Sequence, residues 1–171
     1  MEPQAVLDLI KSRRSRRKFT AQAVDEALVD NILEAGRWAP SGSNNQPWRF
    51  VVVRDAALKA RLAGFTRYGA IIEGAPVVIP VFIHRPSMYN DTKDHQSLGA
   101  CLQNMLLLAE AQGLGAVWLG EILNQAEGVR ETLGLSPDLE LMAVVALGWP
   151  AAGNERSQRM PLEDLVLDRR Y

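Results

Sequence analysis

Cysteine is almost absent from this chain: Cys101 is the only one among 171 residues. No internal disulfide can form, and no cysteine-built metal site is available. Histidine is nearly as scarce. His84 and His95 stand alone, without companions at metal-ligand spacing or a Ser-His-Asp arrangement, so ordinary hydrogen bonding is expected of both. Long apolar runs are missing too. The longest, Ala75 to Ile83, is too short to cross a bilayer and holds two prolines. Met1-Glu2-Pro3-Gln4 lacks the charged-then-apolar pattern of a secretion signal, so the expected location is cytoplasmic. Charge of one sign is not in excess. A formal net charge of −1 argues against bulk attraction to nucleic acid or an anionic membrane.

What is present is ordinary in amount and uneven in placement. A hydrophobic content of 47% is enough for a real core in one globular unit. No linker, repeat or low-complexity tract interrupts residues 1–171, so one domain is expected. Six of the 19 lysines and arginines, however, fall between Lys11 and Lys18.

Periodicity predicts interleaved helices and strands. Pro3 opens a first helix carrying Val6, Leu7 and Ile10, and the arginine-rich run ends it. Asp25 N-caps a second helix, with Leu28, Ile32, Ala35 and Gly36 at helical spacing and Pro40 as its stop. Trp48 to Val53 reads as a strand and Ala56 to Ala63 as a short helix. Pro76 to Ile83 suits a strand covered on both faces. About Lys93 to Gln112 is the longest helix, with Leu98, Cys101, Leu102, Met105, Leu108 and Ala109 forming its apolar stripe. A short extended segment at Gly115 to Gly120, a helix from Gln125 to Leu133 and a strand from Leu139 to Leu147 complete the pattern.

Two stretches could carry chemistry. Arg13-Arg14-Ser15-Arg16-Arg17-Lys18 is open to three readings: a solvated basic turn, a nucleic-acid contact, or a phosphate site. The guanidinium fork grips two phosphate oxygens and serine adds a hydroxyl, whereas no aromatic platform or zinc spacing supports nucleic acid. Pro40-Ser41-Gly42-Ser43-Asn44-Asn45-Gln46-Pro47 is a turn by composition. It nonetheless offers more donors and acceptors than a turn requires, as the polar edge of a flavin and its ribityl chain would need.

These stretches belong to a longer series. Arg13-Arg14-Ser15-x-Arg17-x-Phe19 and Ala39-Pro40-Ser41-x-x-Asn44-x-Gln46-Pro47-Trp48 are followed by Gln103-Asn104-Met105 through Ala109, Gly113 through Trp118, Gly148-Trp149-Pro150, and Arg156 through Pro161. In that order, over nearly the whole chain, they resemble the nitroreductase family of flavin-dependent oxidoreductases. The resemblance implies an α+β fold in three α/β/α layers, with a mainly antiparallel sheet flanked by helices. It further implies an intertwined homodimer with two flavins at the interface, whose centre would be the apolar stripe of the helix from about Lys93 to Gln112, unless that stripe is internal core. It assigns FMN as cofactor and NADH or NADPH as hydride donor, reducing a small acceptor such as a nitroaromatic or quinone by a ping-pong mechanism. Dehalogenation, ene reduction, flavin destruction and passive flavin binding share the same motifs.

Residue by residue, the resemblance gives Arg13, Arg14 and Ser15 to the FMN phosphate and upper ribityl chain, and Arg17 to the ring near N1 and O2. Pro40, Ser41, Gly42 and Asn44 match the turn that reaches the flavin from the partner subunit. Leu119 and Gly120 match the segment whose backbone amide faces flavin N5, with Leu119 where relatives often have glutamate. Arg159, with Arg156, matches the late basic residue that returns to the phosphate, and Arg67 falls near the pyrimidine-gripping position. No residue acts as nucleophile or general base, because the chemistry belongs to the cofactor.

Overall fold

The structure is a computed structural model that describes residues 2–153 and 157–170. Its helices are α1 (Pro3–Ser12), α2 (Glu26–Arg37), α3 (Ala56–Ala63), α4 (Gly69–Gly74), α5 (Asp91–Ala111), α6 (Ala126–Thr132) and α7 (Leu162–Leu165). The strands are β1 (Trp48–Phe50), β2 (Val77–His84), β3 (Gly115–Leu119) and β4 (Leu139–Gly148), in spatial order β1-β2-β4-β3 with every pairing antiparallel.

The β-branched run of β2 explains the layering. Successive strand side chains point to opposite faces. Val77, Ile79, Val81 and Ile83 accordingly join the apolar cluster under α2 and α5, while Val78 and Phe82 join the one under α3, α4 and α6. Helices thus cover both faces of the sheet, as expected. The stripe of α5 is core: Leu98, Cys101, Leu102, Met105 and Ala109 are buried within this chain against α2 and the sheet. The interface alternative for that stripe does not hold. Each such leucine contributes about 1.5–3 kcal/mol of burial. Apolar surroundings also push the Cys101 thiol up to about 12, so it stays protonated and inert.

Two departures from the sequence reading have clear causes. The strand expected over Trp48–Val53 pairs regularly only through Phe50, although Val53 still bridges Val78 in the same register. The gap falls opposite Pro80, whose carbonyl accepts from the Val51 N–H at 3.1 Å but which has no N–H to return. Helix α4 was not foreseen: six residues bounded by two glycines carry no periodicity, and buried Ile72 alone anchors it. Among the tryptophans, Trp48 is buried, while Trp38 and Trp118 are exposed. Trp149 packs on the α5 side and donates its indole N–H to Ala23 O at 3.1 Å.

The arginine-rich segment leaves α1 as an extended ribbon. Ser15 bridges Ala116 in parallel, and the Arg16 N–H donates to Ala116 O at 3.0 Å, so the ribbon adds to the outer edge of β3. The approach is close: a Cβ at Gly115 would stand 2.7 Å from Arg16 Cβ, which explains glycine there. Beyond it, Phe19 pairs with Pro150 at the exit of β4.

Candidate functional site

Arg14 and Arg159 come together from opposite ends of the chain. They line a cavity of about 390 Å³ with Ile10, Lys11 and Ser157. Arg14 is fixed by geometry: its Nη1 donates to the carbonyls of Lys11, Ser12 and Arg13 at 2.5, 3.1 and 2.9 Å, covering acceptors that the end of α1 leaves open. Its Nε is buried and has no partner. A buried guanidinium N–H without an acceptor is costly, and an anionic oxygen would satisfy it. Arg159 donates to Ser157 Oγ and to Gln158 O. The structure therefore joins two of the predicted cations at one place, and that place fits a phosphate. Arg13 caps α1 through its N–H to Leu9 O, and Arg17 is exposed, donating to Ser15 O at 3.3 Å. Arg156 lies outside the described residues.

Ser15 and Gly120 are linked by β3. Ser15 lies beside Ala116, and Gly120 follows the strand's last residue, Leu119. Four residues of strand separate them along the edge, about 13 Å at the usual rise. The Leu119 side chain is buried and Gly120 exposed, leaving backbone at the surface there. Glu121 secures this corner. Its carboxylate accepts from Thr66 Oγ1 at 2.5 Å and from the Arg67 N–H at 3.3 Å, and the Thr66 bond above all holds its carboxyl below the ordinary value. The Arg67 backbone is thereby tied to Glu121, the residue after Gly120, and its guanidinium lies 4.9 Å from the centre of the Tyr68 ring.

The polar turn sits elsewhere. Pro40, Ser41 and Gly42 line a cavity of about 320 Å³ with Tyr89, Lys93 and Gln96, sharing no lining residue with the arginine cavity. Ser43, Asn44 and Gln46 all have positive φ, between 46° and 55°. That conformation costs a residue with a side chain about 1–2 kcal/mol. Asn45 holds the turn in place: its Nδ2 donates to Ser87 O at 2.9 Å and to Asp94 Oδ1 at 2.6 Å, while Asn44 faces solvent. Asp94 is buried and also accepts from the N–H groups of Tyr89 and Asn90, both at 2.9 Å. Burial pushes its carboxyl up, but these hydrogen bonds outweigh that and hold it below the ordinary value.

Asn45 and Asp94 were not picked out from sequence. They are 49 residues apart, and no spacing rule links them. Both histidines behave as expected: His84 Nδ1 lies 2.6 Å from Ser87 Oγ and His95 Nδ1 2.6 Å from Asp91 O. Among the described residues no cluster could hold a metal ion, and no helix is long and apolar enough to cross a membrane. A further cavity of about 190 Å³ is lined by Arg85, Arg130 and Glu140. Its charges are paired, Arg85 with Glu140 at 2.6 Å and Arg130 with Glu127 at 3.2 Å, and it holds none of the predicted site residues.

The description of the nitroreductase family matches residues 10–67 and 66–149 of this chain. The chain belongs to the nitroreductase family. It is 36% identical over 148 residues, 85% of its length, to a candidate NADH dehydrogenase/NAD(P)H nitroreductase of Methanothermobacter thermautotrophicus, covering 78% of that relative. Its fold superposes with a TM-score of 0.93 on a candidate nitroreductase from Desulfovibrio desulfuricans solved in complex with FMN, at 51% identity, covering 100% of this chain and 99% of that one. It also superposes with a TM-score of 0.87 on the NADPH:FMN oxidoreductase of Vibrio harveyi complexed with NAD+, at 30% identity, covering 97% of this chain and 77% of that one.

Proposed function

We propose that this protein is an FMN-dependent oxidoreductase that takes hydride from NADH or NADPH and reduces a small acceptor such as a nitroaromatic or quinone. The observation that carries this reading is the cavity where Arg14, with its unpartnered buried Nε, meets Arg159 beside the Ser15 ribbon. It lies at one end of a strand edge whose other end is Gly120. A phosphate, a five-carbon chain and a tricyclic ring fit that sequence of contacts. Bound FMN supplies a two-electron relay, in net terms NAD(P)H + H+ + ArNO2 giving NAD(P)+ + ArNO + H2O.

This chain's residues bind and orient. Arg14, Arg13, Ser15 and Arg159 take the phosphate, and Arg17 places positive charge near the ring's N1 and O2, where it favours added electrons. The amide at Gly120 faces N5, and Glu121 keeps that corner rigid. The two half-sites are separate cavities within one chain, which supports a homodimer in which the 40–44 turn of one protomer closes over the flavin ring held by the arginine half-site of its partner. The uncovered apolar residues of α1 and of 160–167 support such an assembly.

The test is direct. Purified protein incubated with FMN becomes yellow, NADH or NADPH bleaches it anaerobically, and a nitroaromatic or quinone restores the colour with parallel-line steady-state kinetics. Failure to take up FMN overturns the reading. Uptake without bleaching reduces it to passive flavin binding.

A further inference from the structure

We infer that Lys93, in the cavity between the 40–44 turn and the first turns of α5, acts on the acceptor of the proposed flavin site and gives it a preference for aromatic acceptors bearing a negative charge. The inference rests on the proposed flavin reading, in which that turn lies over the partner's ring. Its own grounds are local. Tyr89 walls the cavity, 51% exposed, and its ring crosses the turn so closely that a Cβ at Gly42 would stand 2.2 Å from Tyr89 Cε1 and Oη. The phenol edge of Tyr89 is therefore set against the turn. The Lys93 ammonium lies 5.5 Å from the centre of that ring. Gln96, three residues on, shares the helix face and lines the same cavity.

The charges around the cavity leave Lys93 dominant. Lys93 makes no ion pair with any described carboxylate. Asp94 is buried and spends its oxygens on Asn45, Tyr89 and Asn90. Asp91 lies 3.6 Å from His95 Nδ1. A single substituted ring in this cavity thus meets the ammonium that lies over the Tyr89 ring and the amide donor of Gln96. Asp94 and Asn45 hold the Tyr89 loop against the turn, so this geometry is built in. The anionic substituent is only a handle, since the nitro group takes two electrons and two protons to nitroso and water while the carboxylate is unchanged.

The test compares 4-nitrobenzoate with its neutral counterpart 4-nitrobenzamide as acceptors for the FMN holoenzyme with NADH. The readout is the kcat/KM ratio of the two, compared between protein forms so that intrinsic reactivity cancels. Lys93→Met lowers the benzoate-to-benzamide ratio about fivefold, the upper range for a partly exposed ion pair. Lys93→Glu lowers it further, Lys93→Arg retains it, and added salt erodes the preference only where the cation is present. A ratio unchanged by Lys93→Met and Lys93→Glu, in protein that is yellow and bleached by NADH, overturns this role of Lys93 and leaves the flavin reading standing. The same holds if the variants alter only the reductive half-reaction with NADH, since Lys93 would then serve the dinucleotide. Protein that takes up no FMN overturns the reading beneath it.

Discussion

Helices α1 and α5 both carry an apolar stripe in sequence, yet the structure treats them oppositely. Helix α5 buries Asp94, Ser97, Leu98, Cys101, Leu102, Met105, Leu106 and Ala109, whereas α1 buries nothing and leaves Val6, Leu7 and Ile10 at 40%, 42% and 46% exposure. One stripe is satisfied inside the chain and the other is not. An apolar helical face therefore signals burial, but not which molecule supplies the cover. The arginine cavity stands at the end of the uncovered helix and the polar turn is braced by the covered one. The two halves of the proposed site would consequently be held by the two kinds of helix.

The sharpest way to break this contrast is to cut into α5. Leu102 is 1% exposed and sits in the cluster facing α2. Leu102→Ala should cost about 3 kcal/mol of unfolding free energy, the transfer loss plus a cavity. Urea unfolding at several protein concentrations measures it. A loss under 1 kcal/mol would mean that α5 is not core.

Next in size is the carboxylate at the start of α5. Replacing Asp94 by Asn leaves buried N–H groups competing for one oxygen, which should cost about 2 kcal/mol at neutral pH. The pH dependence has a definite sign. Because the folded carboxyl titrates below its ordinary value, its stabilisation is full above that ordinary value and disappears as pH falls through the folded one. The gap between wild type and Asp94→Asn in urea midpoint should therefore close in acid. A gap that widens in acid would reverse the assignment.

How much of this was readable from the sequence follows the same division. Helix α5 was legible because its apolar period matches the face it buries, and strand β2 because its unbroken apolar run matches burial on both faces. Helix α4 was not, because Gly69–Gly74 has no period to show. The break in β1 was hidden because its cause, Pro80, lies on the neighbouring strand. The arginine ribbon and the polar turn stood out by composition, yet composition could not separate Asn44, which faces solvent, from Asn45, which turns inward to Asp94. Nor could it show that Arg14 and Arg159 meet. Local patterns disclose elements and donor types, while partners far apart in the chain need the fold.

At the far end of α1, Arg14→Ala should weaken FMN binding about tenfold, since a charge-assisted contact to phosphate is lost. Quenching of flavin fluorescence on binding measures the affinity. Unchanged affinity would leave the Arg14 and Arg159 cavity without a phosphate and would sharpen the contrast differently, making α1 purely an assembly element.

The smallest effect on folding belongs to the exposed face of α1. Leu7→Ala removes methyl groups that nothing in the chain covers, so at high dilution it should change unfolding free energy by no more than about 0.5 kcal/mol. If a second copy covers that face, as in the proposed homodimer, the effect of the substitution should instead grow with protein concentration. Sedimentation velocity on wild type and on Ile10→Glu provides the complementary reading, with the charge placed in the middle of the stripe. Wild type should sediment as a dimer at micromolar concentration and Ile10→Glu should shift toward monomer while keeping its far-UV circular dichroism. If Leu7→Ala were as costly at dilution as Leu102→Ala, or Ile10→Glu stayed as dimeric as wild type, α1 would not be waiting for a partner. Its exposed stripe would then need another explanation.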